Sequence, residues 1–438
     1  MKRRLPVLLL ALAMMFSFCF VTMLGCPGGK DKKPVLEVWS MSNEINELLA
    51  YFKMLNPDYK YEIKTRVINN DDGSYETALD NAFSNKGGPD LFVTDVDYTK
   101  KYVDTAHTVD LAPYYEKKFG GDVKGYEKVR DKLAEDMYEY TLDIGTQGTD
   151  KLKAVSYQVT PGAMFYRPDL FIELAKAGIP KTYDDDGKPT AYYDFSEILE
   201  AAGITTEGLD SKPYTEWSDA DKENLDKYVQ KFVESGKVVV DEEGGEEGGE
   251  EVDSEDAMQN FLEAAKLVAN SKYNDGKGAT KQIKIINNLE DIKRVYYAQR
   301  EAFVKNDNEV VIDEKLYNFL DYAKELYPLT HKGAQWSDNW TAGMRAKNDP
   351  NTDHKTLSFF LPTWGLFYVL ENENDETAGL WRMIEGPQAY YWGGSYLMIG
   401  AYSDKKDDAF EILDFLTSLP FMQARSAFSG DVMNSKAL

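Results

Sequence analysis

Tryptophan and tyrosine side chains crowd into the last quarter of this 438-residue chain, several of them beside glycine or proline. The side chains in question are Trp336, Trp340, Trp364, Tyr390, Tyr391 and Trp392. An aromatic residue at a turn can be held rigidly with one ring face exposed, whereas a core tryptophan usually sits within an apolar periodic run. Flat aromatic faces suit the C–H faces of sugar rings, and nearby carboxylates and amides accept hydrogen bonds from hydroxyls. The cluster therefore favours a carbohydrate pocket, although the same rings could pack as core or at a domain contact.

A second set of candidate ligand-binding residues follows two predicted strands near the N-terminus. Residues 35–40 form a β-rich run, the next residues carry apolar side chains at helical spacing, and residues 91–93 read as a buried strand. Alternating strands and helices predict an α/β fold, in which ligands bind at the carboxyl ends of parallel strands. The side chains at those ends are Trp39, Ser40, Glu44 and Asp95. The alternative is that Trp39 belongs to the core and Glu44 complements a helix dipole.

The overall charge excludes one class of partner. The chain has 75 acidic and 50 basic side chains, a formal net charge of -25, and no basic stripe that could follow a phosphate backbone. We therefore expect no nucleic-acid partner.

Cysteine and histidine are too few for several kinds of chemistry. The only cysteines are Cys19 and Cys26, and the three histidines lie far apart without i+4 partners. This pattern predicts no metal site, no cofactor and no cysteine or histidine catalytic centre in the body of the protein.

The N-terminus has the pattern of a secretory signal. Basic residues 2–4 precede an apolar stretch over residues 7–24, which could also be read as a membrane-spanning anchor. The end of the stretch, Met-Leu-Gly-Cys26, resembles the lipobox of bacterial lipoproteins, although methionine stands in place of the usual leucine. The resemblance implies a signal peptide over 1–25, acylation of Cys26 and a polar tether over 26–33.

Residues 241–256 form an unusual insert in the middle of the chain. Ten of these sixteen residues are acidic, in pairs that alternate with pairs of glycine. The segment is too charged to bury, and it lacks the ligand order of an EF-hand loop. We expect a solvated surface loop.

Several short motifs occur together in an order that is typical of one protein family. They are the Cys26 motif, residues 36–39 with the following helix, Gly-Pro-Asp-Leu-Phe at 88–92, Phe-Tyr-Arg-Pro-Asp-Leu-Phe at 165–171 with Gly-Ile-Pro at 178–180, and the segments 340–344, 361–370 and 386–397 with the helix after them. Over residues 34–430 the chain resembles the extracellular solute-binding proteins of bacterial carbohydrate ABC importers, the family of maltose-binding protein. Each motif alone is modest, and the combination carries the resemblance.

The resemblance implies an α/β fold of two lobes, the type II periplasmic-binding fold, with a central cleft and hinge crossings. The first lobe would comprise 34–155 and 385–425, and the second lobe 156–384 and 426–438. Because relatives continue for several more helices, the second lobe is expected to be incomplete. The implied ligand-binding residues are those placed in the cleft or its motifs: Asp95, Tyr166, Trp340, Trp364, Trp392 and Gly393.

The expected function is that of a substrate-binding lipoprotein without enzymatic activity. It would be a monomer, lipid-anchored outside the cytoplasmic membrane, that closes on a mono- or oligosaccharide and delivers it to the permease subunits. The alternatives are a secreted glycoside hydrolase, with Glu44 and Asp95 as its carboxylate pair, and a surface adhesin or scaffold.

Overall fold

The computed structural model describes residues 33–438, except residues 71, 147, 206–207, 210, 241–253, 299, 301–302, 306–308, 346–354, 371–376, 378 and 430. The predicted signal peptide, Cys26 and nearly all of the tether lie outside the described residues, as does most of the acidic insert. The last residues of that insert, 254–256, differ from the prediction of a loop because they begin a helix.

Strands and helices alternate through the chain. The strands are β1 (Val35–Ser40), β2 (Glu62–Val67), β3 (Leu91–Asp95), β4 (Val155–Ser156), β5 (Gly162–Tyr166), β6 (Ile179–Tyr183), β7 (Pro189–Tyr193), β8 (Ile283–Lys284), β9 (Val304–Lys305), β10 (Glu309–Val310), β11 (Lys355–Thr356), β12 (Ser358–Pro362), β13 (Arg382–Ile384) and β14 (Ser395–Ile399). The α-helices are α1 (Glu44–Leu55), α2 (Ser74–Ser84), α3 (Val96–Val103), α4 (Ala112–Phe119), α5 (Tyr126–Ala134), α6 (Glu139–Thr146), α7 (Pro168–Ala177), α8 (Phe195–Ala201), α9 (Asp219–Ser235), α10 (Ser254–Ala269), α11 (Leu289–Tyr296), α12 (Glu314–Leu326), α13 (Asp338–Arg345), α14 (Lys406–Leu416) and α15 (Leu419–Ser429). Short 3-10 turns lie at Tyr214–Glu216, Ala279–Lys281 and Tyr327–Leu329, and one π-helical turn spans Leu366–Leu370.

The first lobe is built on a five-stranded sheet in the order β2-β1-β3-β14-β4. β1 is parallel to β2 and β3, whereas β14 returns from the far end of the chain and runs antiparallel to β3 and β4. Helix α1 forms where the sequence predicts it, because Ile45, Leu48, Leu49 and Phe52 share one buried face.

The second lobe is built on an antiparallel sheet in the order β12-β5-β13. A parallel pair, β8 and β11, and two hairpins, β6-β7 and β9-β10, lie outside this sheet. The helices α7 to α11 supply most of the apolar side chains that cover the sheet in a single large core.

Two stretches of chain connect the lobes side by side. They are residues 156–162 and 390–395, joined by hydrogen bonds from the Trp392 N–H to the Thr160 carbonyl and from the Thr160 hydroxyl to the Gly393 carbonyl. A third stretch runs beside them, since the Val159 N–H donates to the carbonyl of Val432. The two lobes are therefore linked by a narrow hydrogen-bonded hinge.

The lobe boundaries differ from the expected ones in two places, just before β14 and at the C-terminal tail. Residues 385–392 belong to the second lobe, because Tyr390 is buried in its core and donates hydrogen bonds to the carbonyls of Ala163 and Leu361. The tail beyond residue 430 packs on the first lobe, where Met433 enters the core and the Asn434 amide donates to Thr141 and Ser156. In both cases the lobe to which a segment belongs is decided by its long-range packing contacts and not by its position along the chain.

Candidate functional site

Two adjoining pockets open between the lobes at the hinge. The larger has a volume of about 490 Å³ and the smaller about 250 Å³, and Asp95 and Trp364 line both of them. Pockets that bind small molecules commonly measure about 300–1,000 Å³. The larger pocket is lined by Met41, Asn69, Asn70, Glu76, Asp95, Asp97, Tyr98, Arg294, Trp336, Trp364, Trp392 and Gly393.

The two walls of the larger pocket differ in chemistry. The first lobe supplies carboxylates and amides, whereas the second lobe and the hinge supply three tryptophans and one arginine. A ligand between these walls would meet aromatic faces on one side and hydrogen-bonding groups on the other.

Asp95 is the central polar side chain of the cleft. It ends β3 and caps α3, because its Oδ1 accepts a hydrogen bond of 2.9 Å from the N–H of Asp97. Burial raises the pKa of the Asp95 carboxyl to about 6, since a desolvated carboxylate is disfavoured. Among the described residues Oδ2 has no hydrogen-bond or ion-pair partner, and it faces the space in front of Gly393.

Three tryptophan rings form the aromatic wall. The ring centroid of Trp392 lies 6.0 Å from that of Trp364 and 6.1 Å from that of Trp336, with interplanar angles of 60° and 61°. Such tilted contacts are favourable, and they fix the rings relative to one another.

Trp336 is the most exposed of the three rings. Its side chain is 58% exposed, and its backbone has a φ of 68°, a conformation that costs energy for a residue other than glycine. The buried ring of Trp340 supports it from behind at a centroid distance of 4.9 Å. A bulky aromatic that is held in a strained turn and left facing a cleft is placed for binding.

Arg294 projects from α11 into the mouth of the cleft. Its guanidinium carbon lies 4.6 Å from the ring centroid of Trp392, and its Nη2 lies 3.8 Å from Oδ2 of Asp97 on the first lobe. The arginine thus covers part of an aromatic face and approaches the opposite wall.

Glu44 lies at the floor of the smaller pocket, in the first turn of α1. Its carboxylate accepts hydrogen bonds from the Tyr157 hydroxyl at 2.8 Å and from the buried Arg425 at 3.2 Å. Arg425 also donates to the hydroxyl of Tyr368, which lines the same pocket from the second lobe. The network joins both lobes behind the ligand space.

A buried carboxyl, Asp431, lies beside this floor. It accepts hydrogen bonds from Thr363 and Gln158, which come from the second lobe and the hinge. Burial raises its pKa to about 6, and the negative charge of Glu44 adds to the effect.

Gly393 is favoured at the hinge by its backbone conformation, and the absence of a side chain leaves space in the cleft. Its φ of 83° is unfavourable for residues with a Cβ, and a Cβ placed there would lie 3.7 Å from Trp364 Nε1 and 3.8 Å from Asp95 Oδ2. The glycine therefore keeps space open between the central carboxylate and one tryptophan.

The structure brings together five of the nine residues that the sequence predicts to bind ligand. Those that line one or both pockets are Glu44, Asp95, Trp364, Trp392 and Gly393. The other four are Trp39, Ser40, Tyr166 and Trp340, and none of them lines either pocket.

Each of these four has a structural reason for its position. The Trp39 ring packs in the first lobe under Arg66, and it lines a separate pocket together with Arg66 and residues of α2. Ser40 is buried and accepts a hydrogen bond from the Ser42 N–H. The predicted placement of Trp39 and Ser40 in the cleft is therefore corrected.

Tyr166 and Trp340 belong to the core of the second lobe. Tyr166 is fully buried and donates a 2.7 Å hydrogen bond to Asp226, which also pairs with Arg382. The indole N–H of Trp340 donates at 2.8 Å to the buried carboxyl of Asp291. Neither ring contacts the cleft, and Trp340 contributes only by supporting Trp336.

The prediction omitted several cleft residues. Trp336 stood in the aromatic cluster and could have been chosen from its turn context. Arg294, Asp97 and Tyr368 carry no local signal, because only the approach of the two lobes brings them to the cleft.

Comparison with known proteins identifies the family. The model of the bacterial extracellular solute-binding proteins matches residues 39–281, more than half of the chain. The chain belongs to this family. Among proteins with curated descriptions, no relative matches it.

Solved structures agree in fold over most of this solute-binding protein. A family 1 extracellular solute-binding protein superposes with a TM-score of 0.57 at 15% identity, covering 92% of this chain and 79% of the other. The sugar-binding protein MalE from Xanthomonas citri gives 0.54 at 15% identity, with 92% and 80% covered. The galacto-N-biose-/lacto-N-biose I-binding protein from Bifidobacterium longum, in complex with lacto-N-biose, gives 0.55 at 13% identity, with 93% and 80% covered.

The two-lobed α/β solute-binding fold inferred from the motifs is therefore confirmed. The family is extracellular. Within the part of the chain that the structure describes, no helix is both long and apolar enough to cross a membrane.

Proposed function

We propose that this protein is the substrate-binding component of an ABC importer and captures a mono- or oligosaccharide between its lobes. The observation that carries the proposal is that the cleft at the hinge has one aromatic wall and one hydrogen-bonding wall. Trp336, Trp364 and Trp392 on one side face Asp95, Asn69 and other hydrogen-bonding groups on the opposite side. This arrangement matches the two kinds of surface that a sugar ring presents.

The mechanism is closure of the lobes around the ligand. A ligand shifts the balance between open and closed forms only through contacts that favour the closed form, so both lobes must touch it. The larger pocket meets this requirement, since Asp95 belongs to the first lobe and Trp336 and Trp364 to the second. The closed form would then dock on the permease subunits.

Similar folds support the choice of ligand class. The Xanthomonas citri protein is described as sugar-binding, and the Bifidobacterium longum protein was solved with lacto-N-biose. At 13–15% identity the likeness concerns the fold, so the ligand of this chain is inferred from its own cleft.

The remaining parts of the proposal concern the setting of the protein. We propose a monomer that is anchored outside the cytoplasmic membrane by a lipid on Cys26, and that releases its ligand unchanged. Glu44, one of the two carboxylates considered for hydrolysis, is held by Arg425 and Tyr157, which supports a structural role over a catalytic one.

Thermal shift and calorimetry test this function. The soluble protein from residue 30 onward is screened against neutral, amino and acidic mono- and oligosaccharides, and hits are measured by titration calorimetry. A ligand at 100 times its Kd should stabilise the folded protein by about 2.7 kcal/mol. Chromatography of the incubated ligand should show it intact; release of shorter products would instead indicate a hydrolase.

A further inference from the structure

The cleft combines three features that together favour a positive charge. Trp336 and Trp364 lie 6.0–6.1 Å from Trp392, and Asp95, which has no ion-pair partner among the described residues, lines the same pocket and faces Trp364 across the space in front of Gly393. Tryptophan faces attract cations through their negative π surface, and grouped aromatic rings recognise ammonium ions. Sugar hydroxyls alone do not require this arrangement.

A cation already occupies one of these aromatic faces. The guanidinium of Arg294 lies over Trp392 at 4.6 Å, and its nearest carboxylate, on Asp97, is 3.8 Å away, which is too long for a hydrogen bond. Arg294 is thus held more by the ring than by a strong ion pair. It shows that the aromatic wall accepts a positive group.

The charges around the larger pocket leave an excess of acid. The pocket is lined by Glu76, Asp95 and Asp97 against the single cation of Arg294. Glu76 is paired with Lys101 at 3.1 Å and Asp97 lies 3.8 Å from Arg294, so Asp95 is the carboxylate of the three without an ion-pair partner among the described residues. The net charge of -25 adds a field that draws cations and repels anions.

We propose that the cleft selects saccharides that carry a protonated amine, with the ammonium group bound between Asp95 and the tryptophans. This inference rests on the proposed function and narrows its ligand class. The amine would form a charge-assisted hydrogen bond to Asp95 Oδ2 and a cation–π contact with Trp364 or Trp392. Uronates are excluded by the same charges.

Arg294 competes with the ligand for the aromatic wall. Entry of an amine next to Trp392 brings two positive charges together unless the arginine swings toward Asp97. Arg294 is therefore a specificity-determining residue that weakens binding of the cationic group, and its removal should favour amino sugars.

The test compares matched sugars by titration calorimetry at about pH 7. Glucose, glucosamine, N-acetylglucosamine and glucuronate form one series, galactose and its derivatives a second, and cellobiose with its diamino and di-N-acetyl analogues a third. We expect an amino member of at least one series to bind about tenfold or more tightly than its hydroxyl partner, which corresponds to about 1.4 kcal/mol. The acetylated members, which have the same nitrogen without its charge, should lose this advantage.

Two variants assign the effect to the proposed site. Asp95→Asn keeps the helix cap because asparagine also accepts the Asp97 N–H, and it should reduce the amine preference to about threefold or less. Arg294→Gln should raise the ratio of amino-sugar to neutral-sugar affinity several-fold, because it removes the cation that competes for Trp392. Asp194→Asn is the matched control, since Asp194 also caps a helix by accepting a backbone N–H but lines neither pocket.

The outcomes separate this inference from the broader function. Equal or tighter binding of neutral, acetylated or acidic sugars overturns the amine selectivity and leaves a sugar-binding protein. An amine preference that survives Asp95→Asn unchanged also overturns it. If no saccharide of any series binds to the folded protein, both this inference and the proposed function are wrong.

Discussion

Arg425 of the first lobe donates a hydrogen bond of 3.2 Å to the hydroxyl of Tyr368 in the second lobe. The same guanidinium is held by Glu44 and Glu47, so it is fixed to α1 while it reaches across the smaller pocket. This contact is a direct link between the lobes beside the ligand space. It should therefore stabilise the arrangement of the two lobes that the structure shows, with or without ligand.

Tyr368→Phe should weaken ligand binding by a few-fold and leave the melting temperature nearly unchanged. The substitution removes one hydroxyl, worth about 0.5–1.5 kcal/mol, and keeps both ion pairs of Arg425. Because the proposed ligand contacts both lobes, loss of a contact that holds the lobes together appears as lower affinity. Calorimetry measures the affinity, and X-ray scattering of the ligand-free variant should show a larger average radius of gyration than the wild type.

Trp364→Ala should reduce sugar affinity by about 1–3 kcal/mol, roughly 5- to 150-fold, as for an aromatic anchor at a binding site. Trp364 lines both pockets and contacts Trp392. The comparison is with Tyr183→Ala, which removes an exposed aromatic ring outside the cleft. Equal affinities of the two variants would remove Trp364 from the site.

Asp95→Asn should stabilise the ligand-free protein at pH 7.5 by about 1–2 kcal/mol and have little effect near pH 4. Burial raises the pKa of Asp95 to about 6, so the folded protein binds the proton more tightly than the unfolded chain. The favourable contribution of the Asp95 carboxyl group to folding stability is fully present below its pKa in the unfolded chain, which is about 4. This contribution is lost as the pH rises through the pKa of about 6 in the folded protein. Urea denaturation at a series of pH values measures the difference.

Asp194→Asn should change the folding stability in the opposite direction in the same experiment. Hydrogen bonds from Ser196 and Glu197 hold the pKa of Asp194 below its usual value. Its contribution is therefore present at neutral pH and lost as the pH falls, so this variant should be less stable than the wild type at pH 7.5. A loss of stability for Asp95→Asn at pH 7.5 would show that its carboxylate is better solvated than the geometry indicates.

Gly393→Ala should lower both stability and ligand affinity. Alanine at a φ of 83° costs about 1–2 kcal/mol, and its Cβ would occupy the space between Trp364 and Asp95. Gly187→Ala is the matched control, because Gly187 has a φ of 76° in a hairpin turn with no atom within 4 Å of the added Cβ. Both variants should lose a few degrees in melting temperature, but only Gly393→Ala should bind ligand less tightly.

The motifs predicted the architecture well because they lie on locally determined elements. The strand at 35–40 and the helix after it depend on apolar periodicity, and the structure confirms both. The lobe boundaries were less well predicted, since Tyr390 and Met433 are placed by long-range packing that no local pattern records.

The predicted binding residues show the same difference between what local patterns reveal and what long-range packing decides. The structure places Asp95, Trp364 and Gly393, each of which follows a recognisable strand or turn, at the cleft. Tyr166 and Trp340 look similar in sequence, but they lie in the core of the second lobe. Aromatic character does not distinguish a ring that faces a cleft from one that faces a core. The distinction depends on which side of the sheet or helix meets the other lobe.

The sequence by itself determined the family, the two-lobed α/β architecture, the acidic character and the concentration of aromatic side chains in the last quarter of the chain. Only the tertiary structure decided which rings line the cleft, that Arg294 covers Trp392, and that Arg425 meets Tyr368. The physical reason is distance along the chain. Local periodicity encodes strands and helices, but a contact between residues such as Tyr368 and Glu44, through Arg425, exists only after two separately folded lobes are brought together by the hinge.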